Sequence, residues 1–347
     1  MYLNGHISVT INGKLLKTII SVEADHDGHC VGGECKLKVP LISTVQYKDG
    51  VHDYLTQYTD SVTTFFKVGD PVEVVCWYDN YPKITVFKGF VFDFIEGQPM
   101  TIRCLDYSYW FNLGIFGSKT VPANYKSITF KNLIENIIAF VNNTISTTDN
   151  TVGKISLITP TFDMTLVNIT FAMMTPLAVL DWLRKEMGFN ITLIGNKLYA
   201  NIASYTDGLI DYDTTVNVTH SDIQKPGAVF QTFKVKCWFM KENGTKDSIE
   251  VGDSNGQLKE FYFYTIKQRN ETLYKKLAAE CLNKAKQKAF SGSITTPLYT
   301  QPILFAKAVY KDKRFPNKNG NYVITGYTLS IGDGGYRYKV KLSNLAL

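Results

Sequence analysis

The strongest constraint on this chain is a recurring alternation. Short runs of apolar and polar residues are cut by Gly, Asn, Asp and Pro turns along most of its length. Cys35-Lys36-Leu37-Lys38-Val39 alternates cleanly, and Asn12-Gly13, Asp79-Asn80-Tyr81-Pro82, Gly195-Asn196, Asn243-Gly244, Asn255-Gly256 and Asp333-Gly334-Gly335 punctuate the runs. Successive side chains of a strand point to opposite faces, so alternation buries one face of a sheet. Asn-Gly pairs tolerate the positive φ of tight hairpin turns. The aromatic share of 13%, with 21 Tyr and 21 Phe, favours strands for the same segments. At 347 residues the chain exceeds one ordinary core, which predicts two or three domains.

Residues 1–112 read as a first barrel-like β domain. Its expected strands are His6–Thr10, Leu15–Glu23, Cys35–Pro40, Val72–Trp77, Ile84–Phe87, Gly89–Ile95 and Met100–Leu105. Asp25–Glu34 reads as a polar, Gly-rich loop, and 43–64 as a long loop without clear period. Residues 113–204 read as α+β. Phe130, Leu133, Ile134, Ile137, Ile138 and Val141 form one helical face, with Thr129 or Ser127 available as N-cap. A second helix has Thr175 as cap, Pro176 in its first turn and Gly188 as its stop. Asn190–Ile194 and Lys197–Ile202 flank Gly195-Asn196 as a hairpin. Residues 205–347 return to β as a second barrel-like domain, with a helical insert at about 271–289. Phe230–Met240, Asp247–Val251 and Gln257–Thr265 precede the insert, and a hairpin of Asn321–Ile331 and Tyr336–Leu342 closes the chain. The expected fold class is therefore mainly β with an α+β middle region.

Residue patterns for catalysis are missing. The sequence contains no HExxH, Walker loop, nucleophile elbow or dinucleotide fingerprint. Val251-Gly252-Asp253-Ser254-Asn255-Gly256 lacks the Lys-Ser/Thr ending of a phosphate loop and lies between strands, so it reads as a hairpin turn. The densest group of ligand-type residues is Asp25 to Cys35, which holds His26, His29, Cys30 and Cys35. Zinc takes four N or S ligands, yet this spacing matches no standard zinc module, and Cys35 shares a strand face with Leu37 and Val39. The expectation is a polar inter-strand loop, with no catalytic, cofactor or metal site. Asp93, Glu96 and Asp106 fall on or beside strands and read as rim positions. His6, His52 and His220 are isolated.

Lys and Arg total 37 against 31 Asp and Glu, a net charge of +6 with the two signs interspersed. That excess predicts neither specific nucleic-acid binding nor a membrane surface. No run approaches ~18 apolar residues, so no membrane segment is expected. MYLNGHISVTINGK has no apolar signal region. Four of the six cysteines, Cys76, Cys104, Cys237 and Cys281, lie in apolar strand or helix patterns, as reduced buried thiols do. Synthesis in a reducing cytoplasm follows.

Three groups of residues carry a resemblance. The first is Phe66-Lys67-Val68-Gly69-Asp70-Pro71-Val72-Glu73-Val74, then Val86-Phe87-Lys88-Gly89-Phe90-Val91 and Thr101-Ile102-Arg103-Cys104-Leu105-Asp106. The second is Pro176–Ile202, a helix running into a two-stranded hairpin. The third is Phe290-Ser291-Gly292-Ser293-Ile294, then Gly320-Asn321-Tyr322-Val323-Ile324 and Gly334-Gly335-Tyr336-Arg337-Tyr338-Lys339-Val340. In this order they resemble the phage tail baseplate hub family, which includes late control protein D, Mu-like tail hubs and the base of the type VI secretion spike. Gln301-Pro302-Ile303-Leu304-Phe305 stands where that family has a Pro-Gly-Asp step. The resemblance implies a homotrimer whose two barrel-like domains per chain form a pseudo-sixfold ring. It implies a structural, non-enzymatic adaptor between the sixfold tail tube and a central spike or tip protein, located in the virion. DNA would pass through the channel without specific binding. The alternatives are the N-terminal platform of a tail-associated lysin, which an end at Leu347 disfavours, a small cell-wall hydrolase, or a carbohydrate-binding β protein.

Overall fold

The computed structural model describes residues 4–28, 30–40, 42–46, 50, 52–56, 65–117, 123–149, 151–158, 164–186, 189–201, 208–223, 232–241, 244–264, 271–289, 292–332 and 335–344. The first strands are β1 (Gly5–Ile11), β2 (Lys14–Leu16), β3 (Ser21–Asp27), β4 (Glu34–Val39), β5 (Ile42–Gln46), β6 (His52–Thr56), β7 (Pro71–Tyr78), β8 (Ile84–Ile95) and β9 (Met100–Leu105). A short helix α1 (Ser108–Asn112) leads into β10 (Ala123–Thr129), helix α2 (Phe130–Thr148), β11 (Ser156–Ile158), β12 (Thr165–Phe171), helix α3 (Pro176–Glu186), β13 (Asn190–Ile194) and β14 (Lys197–Asn201). Then follow β15 (Leu209–Asp213), β16 (His220–Ser221), β17 (Phe233–Met240), β18 (Lys246–Gly252), β19 (Gln257–Phe263), helix α4 (Glu271–Ala289), β20 (Gly292–Pro297), β21 (Lys307–Lys311), β22 (Gly320–Gly332) and β23 (Gly335–Asn344).

The fold is mainly β. One 15-stranded sheet runs β16-β20-β23-β22-β3-β4-β9-β8-β7-β1-β2-β5-β6, with β15 and β21 joined to it through β22. Three smaller sheets are β10-β12, β11-β14-β13 and β18-β17-β19. Among the described residues every sheet is open. The period-2 pattern explains the large sheet's face: in β4, Cys35, Leu37 and Val39 are buried, while Lys36 and Lys38 are exposed. This core also takes in Tyr212, Tyr310, Tyr322 and Tyr338.

A second core gathers the helices. Thr129 caps α2 by accepting from the Asn132 amide at 3.2 Å, and Leu133, Ile134, Ile137, Ile138 and Val141 are buried beneath it. Thr175 caps α3 through the Ala178 amide at 3.2 Å. Val235, Cys237 and Phe239 of β17 and Leu277, Ala278 and Cys281 of α4 join this same core. The segment 233–289 therefore packs with the helical middle of the chain. Its flanking strands belong to the large sheet.

Several sequence expectations change. Leu15–Glu23 splits at 17–20 into β2 and β3, because β2 pairs β1 whereas β3 pairs β4 and β22. The Asp25–Glu34 loop contracts, since β3 runs to Asp27 and β4 begins at Glu34. Within 43–64, β5 and β6 form an antiparallel hairpin that extends the sheet; residues 57–64 lie outside the described ones. Ile84–Phe87 and Gly89–Ile95 are one strand, β8, which keeps its ladders by two register shifts. The turn at 253–256 is no hairpin. β18 pairs antiparallel and β19 parallel to β17, on its two sides, so the chain crosses over the start of β17. Gly188, Asn243, Asp333, Gly334, Phe290 and Ser291 lie outside the described residues.

Candidate functional site

The His/Cys segment, read from sequence as a bystander loop, sits where the parts of the molecule meet. β3 is hydrogen-bonded to β22 over six residue pairs, from Gly326↔Asp27 to Ile331↔Val22. Among the described strands this ladder is the one link between β1–β9 and the C-terminal strands. Asp25 accepts from the Thr328 hydroxyl at 2.7 Å, and Asp27 pairs with the Lys341 ammonium at 2.9 Å. The Gly28 amide donates to the Thr325 carbonyl at 2.8 Å. On the other side, the Leu193 amide of β13 donates to the Val31 carbonyl at 2.7 Å, tying in the middle region.

Asp106 lies at the centre of this junction and is buried. Its carboxyl accepts from the Gly33 amide at 2.7 Å and the Ser108 amide at 2.8 Å, so it fixes both the entry to β4 and the start of α1. Burial pushes its pKa up, against the downward pull of those amides. The His26 ring lies tilted against Tyr327 with centroids 4.9 Å apart, lies 6.4 Å from Phe87, and donates to the Val86 carbonyl. Enclosure holds its imidazole below the ordinary value despite nearby Asp106 and Asp25. Gly33 leaves room for the ring: a Cβ there would stand 2.5 Å from His26 Nδ1.

The candidate ligand residues do not converge. Cys35 faces the interior beside Cys104 and Cys76, where burial raises its thiol well above the ordinary range. Cys30 is exposed, and partial burial of its sulfur, then Asp27, keep its thiol up. His29 lies outside the described residues. No group of three His, Cys, Asp or Glu side chains among the described residues could hold a metal ion. Asp93 pairs with Arg103 at 3.8 Å, and Arg103 binds Glu34 at 2.8 Å, as rim residues do. Glu96 is exposed. Asp106 is the exception to the rim expectation. Its interior role was missed because its amide partner Gly33 stands 73 residues away in sequence. His6 stacks on Trp77 and pairs with Asp79, and His220 is exposed in β16. His52 lies in β6. A shallow cleft of about 460 Å³ lies between the β1–β2 turn, β7, β8 and the 149–153 loop, with Glu73, Lys88 and Asp149 in its lining.

The remaining geometry is that of surfaces. Among the described residues the large sheet ends at β6 and β16, and β15 has a second unpaired edge. Two exposed tyrosines at turns meet: Tyr81 and Tyr299 stack at 5.9 Å, and the Tyr299 hydroxyl donates to the Val216 carbonyl at 3.3 Å. No helix among the described residues is long and apolar enough to cross a membrane.

Solved structures with the same path over the whole chain decide the fold. The tail protein from Neisseria meningitidis MC58 superposes with a TM-score of 0.64 at 12% identity, covering 98% of this chain and 96% of that one. The fold is that of phage tail proteins. The 43 kDa tail protein of prophage MuSo2 from Shewanella oneidensis shares the tail-protein fold at a TM-score of 0.61 and 15% identity, covering 98% of each chain. An Escherichia coli type VI secretion component, described as similar to the T4 tail proteins gp27 and gp5, gives 0.56 at 8% identity over 97% of this chain and 77% of its own. No protein-family model and no curated protein matches the sequence.

Proposed function

We propose that this chain is a structural tail component without catalytic activity: the baseplate hub of a phage or phage-like tail. The observation that carries the reading is a tail-protein fold over 98% of the chain, at both ends of the sequence and through the middle. The hub is a homotrimer. Residues 1–112 and 205–347 supply the two tube-forming modules of each subunit, six per ring, around a central channel. Residues 113–204 stand outside it, accompanied by 233–289, which shares their core. The ring adapts a sixfold tail tube to a central spike or tip protein, and DNA passes without base-specific contact.

Physical support comes from edges. An unpaired strand invites pairing with another chain, and natural proteins cover such edges. The edges of β6, β15 and β16 that no described strand pairs would be covered in a closed cyclic trimer, whose heterologous contacts join unlike edges of neighbouring copies. Multi-angle light scattering of the purified protein tests this. A mass three times the 39.2 kDa of one chain is expected. A single-chain mass at all concentrations would remove the proposal.

A further inference from the structure

We propose that His26 is a proton-sensitive latch on the ladder that joins β1–β9 to the C-terminal strands. The inference is independent of the hub reading, since it concerns one chain. Its basis is position. The β3–β22 ladder is the one strand pairing between the two strand groups among the described residues, beside a side-chain bond from the Tyr78 hydroxyl to the Tyr336 carbonyl at 2.9 Å, and His26 lies within the ladder opposite Tyr327. A neutral imidazole suits this place: it donates to the Val86 carbonyl, lies tilted against the Tyr327 ring and packs against Gly33.

The charges around His26 set the direction. Its own strand supplies Asp25 and Asp27, both committed to the seam through Thr328 and Lys341. β4 supplies Glu34, held by Arg103 at 2.8 Å. From the β9–α1 corner comes Asp106, whose oxygens already accept two backbone amides. β8 offers Phe87 and the Val86 carbonyl, and β22 offers the Tyr327 phenol. β23 adds Tyr338, edge-on to Tyr327 at 5.9 Å, and the Lys341 ammonium. The carboxylates favour an imidazolium, but each has its own partner, and enclosure outweighs them. The sign follows. A base whose folded pKa lies below its ordinary 6.5 adds stability that is whole above that value. The stability is lost as pH falls through the folded pKa. Asp106, raised above its ordinary 3.8, works in the opposite sense at lower pH and offsets part of the loss.

Hydrogen exchange of the whole protein, read by mass spectrometry from about pH 7.5 to about pH 5 and corrected for intrinsic rates, tests the latch. Peptides covering Val22–Asp27 and Gly326–Ile331 are expected to lose protection as pH falls, about tenfold for each unit of depression in the His26 pKa. Peptides covering the β7–β8 ladder should hold theirs. His26→Gln keeps a donor for the Val86 carbonyl and cannot titrate, so its seam protection should be independent of pH. Unchanged wild-type protection across this range, or the same loss in His26→Gln, would overturn the proposal. Should that variant not fold, an NMR titration of labelled histidine in the wild-type protein serves instead. A His26 midpoint below 6.5 that tracks seam opening supports the latch; a midpoint at or above it refutes the latch.

Discussion

At Gly252 the backbone adopts φ of +106°, and a Cβ there would stand 2.2 Å from the Phe233 carbonyl oxygen. At Gly256 a Cβ would meet the Phe233 backbone at 2.6 Å. These two glycines let the chain cross over β17 at close range. Gly252→Ala is expected to cost about 1–3 kcal/mol, read as a lower denaturation midpoint in urea. Asp106→Ala leaves the Gly33 and Ser108 amides without their acceptor in a buried site. Each orphaned amide costs about 1–3 kcal/mol, so the variant should lose several kcal/mol in the same assay or fail to fold. Little of this was legible in sequence. Gly252-Asp253-Ser254-Asn255-Gly256 looks like any hairpin turn, because a local string says nothing about which strand it passes. Asp106 looked like a rim residue, because its partner Gly33 stands 73 residues away in sequence.

Elements with a strong period were legible, and their partners were not. The helical face of α2 and the caps Thr129 and Thr175 stand as the sequence implies, since 3.6-residue spacing and capping are local properties. Thr129→Ala should destabilise by about 1 kcal/mol, measured by thermal unfolding. α4 was legible as a helical insert at about 271–289. That it would pack on β17 and β18, in the core of the middle region, was not, because an amphipathic stripe does not name what covers it. Leu277→Ala is expected to cost about 2–5 kcal/mol and to loosen β17–β19 together with 123–200, seen as joint loss of hydrogen-exchange protection. Separate responses would break the shared core. The β5–β6 hairpin escaped notice because its segment shows no clear alternation.

At the scale of the whole molecule, the order of weak motifs proved more informative than any one of them. Gly-Asp steps and Gly-Tyr strands are common, but their succession from Phe66 to Val340 matched a fold then found over the full chain. Sequence placed two separate β modules at the ends; the structure joins their strands in one sheet through the β3–β22 ladder. Among the described residues that sheet leaves open edges at β6, β15 and β16. The measurement that tests the central claim most directly is negative-stain electron microscopy of the purified protein. Class averages should show a closed ring of three subunits with six lobes around a central hole. Isolated single subunits, or open chains of varying length, would contradict it.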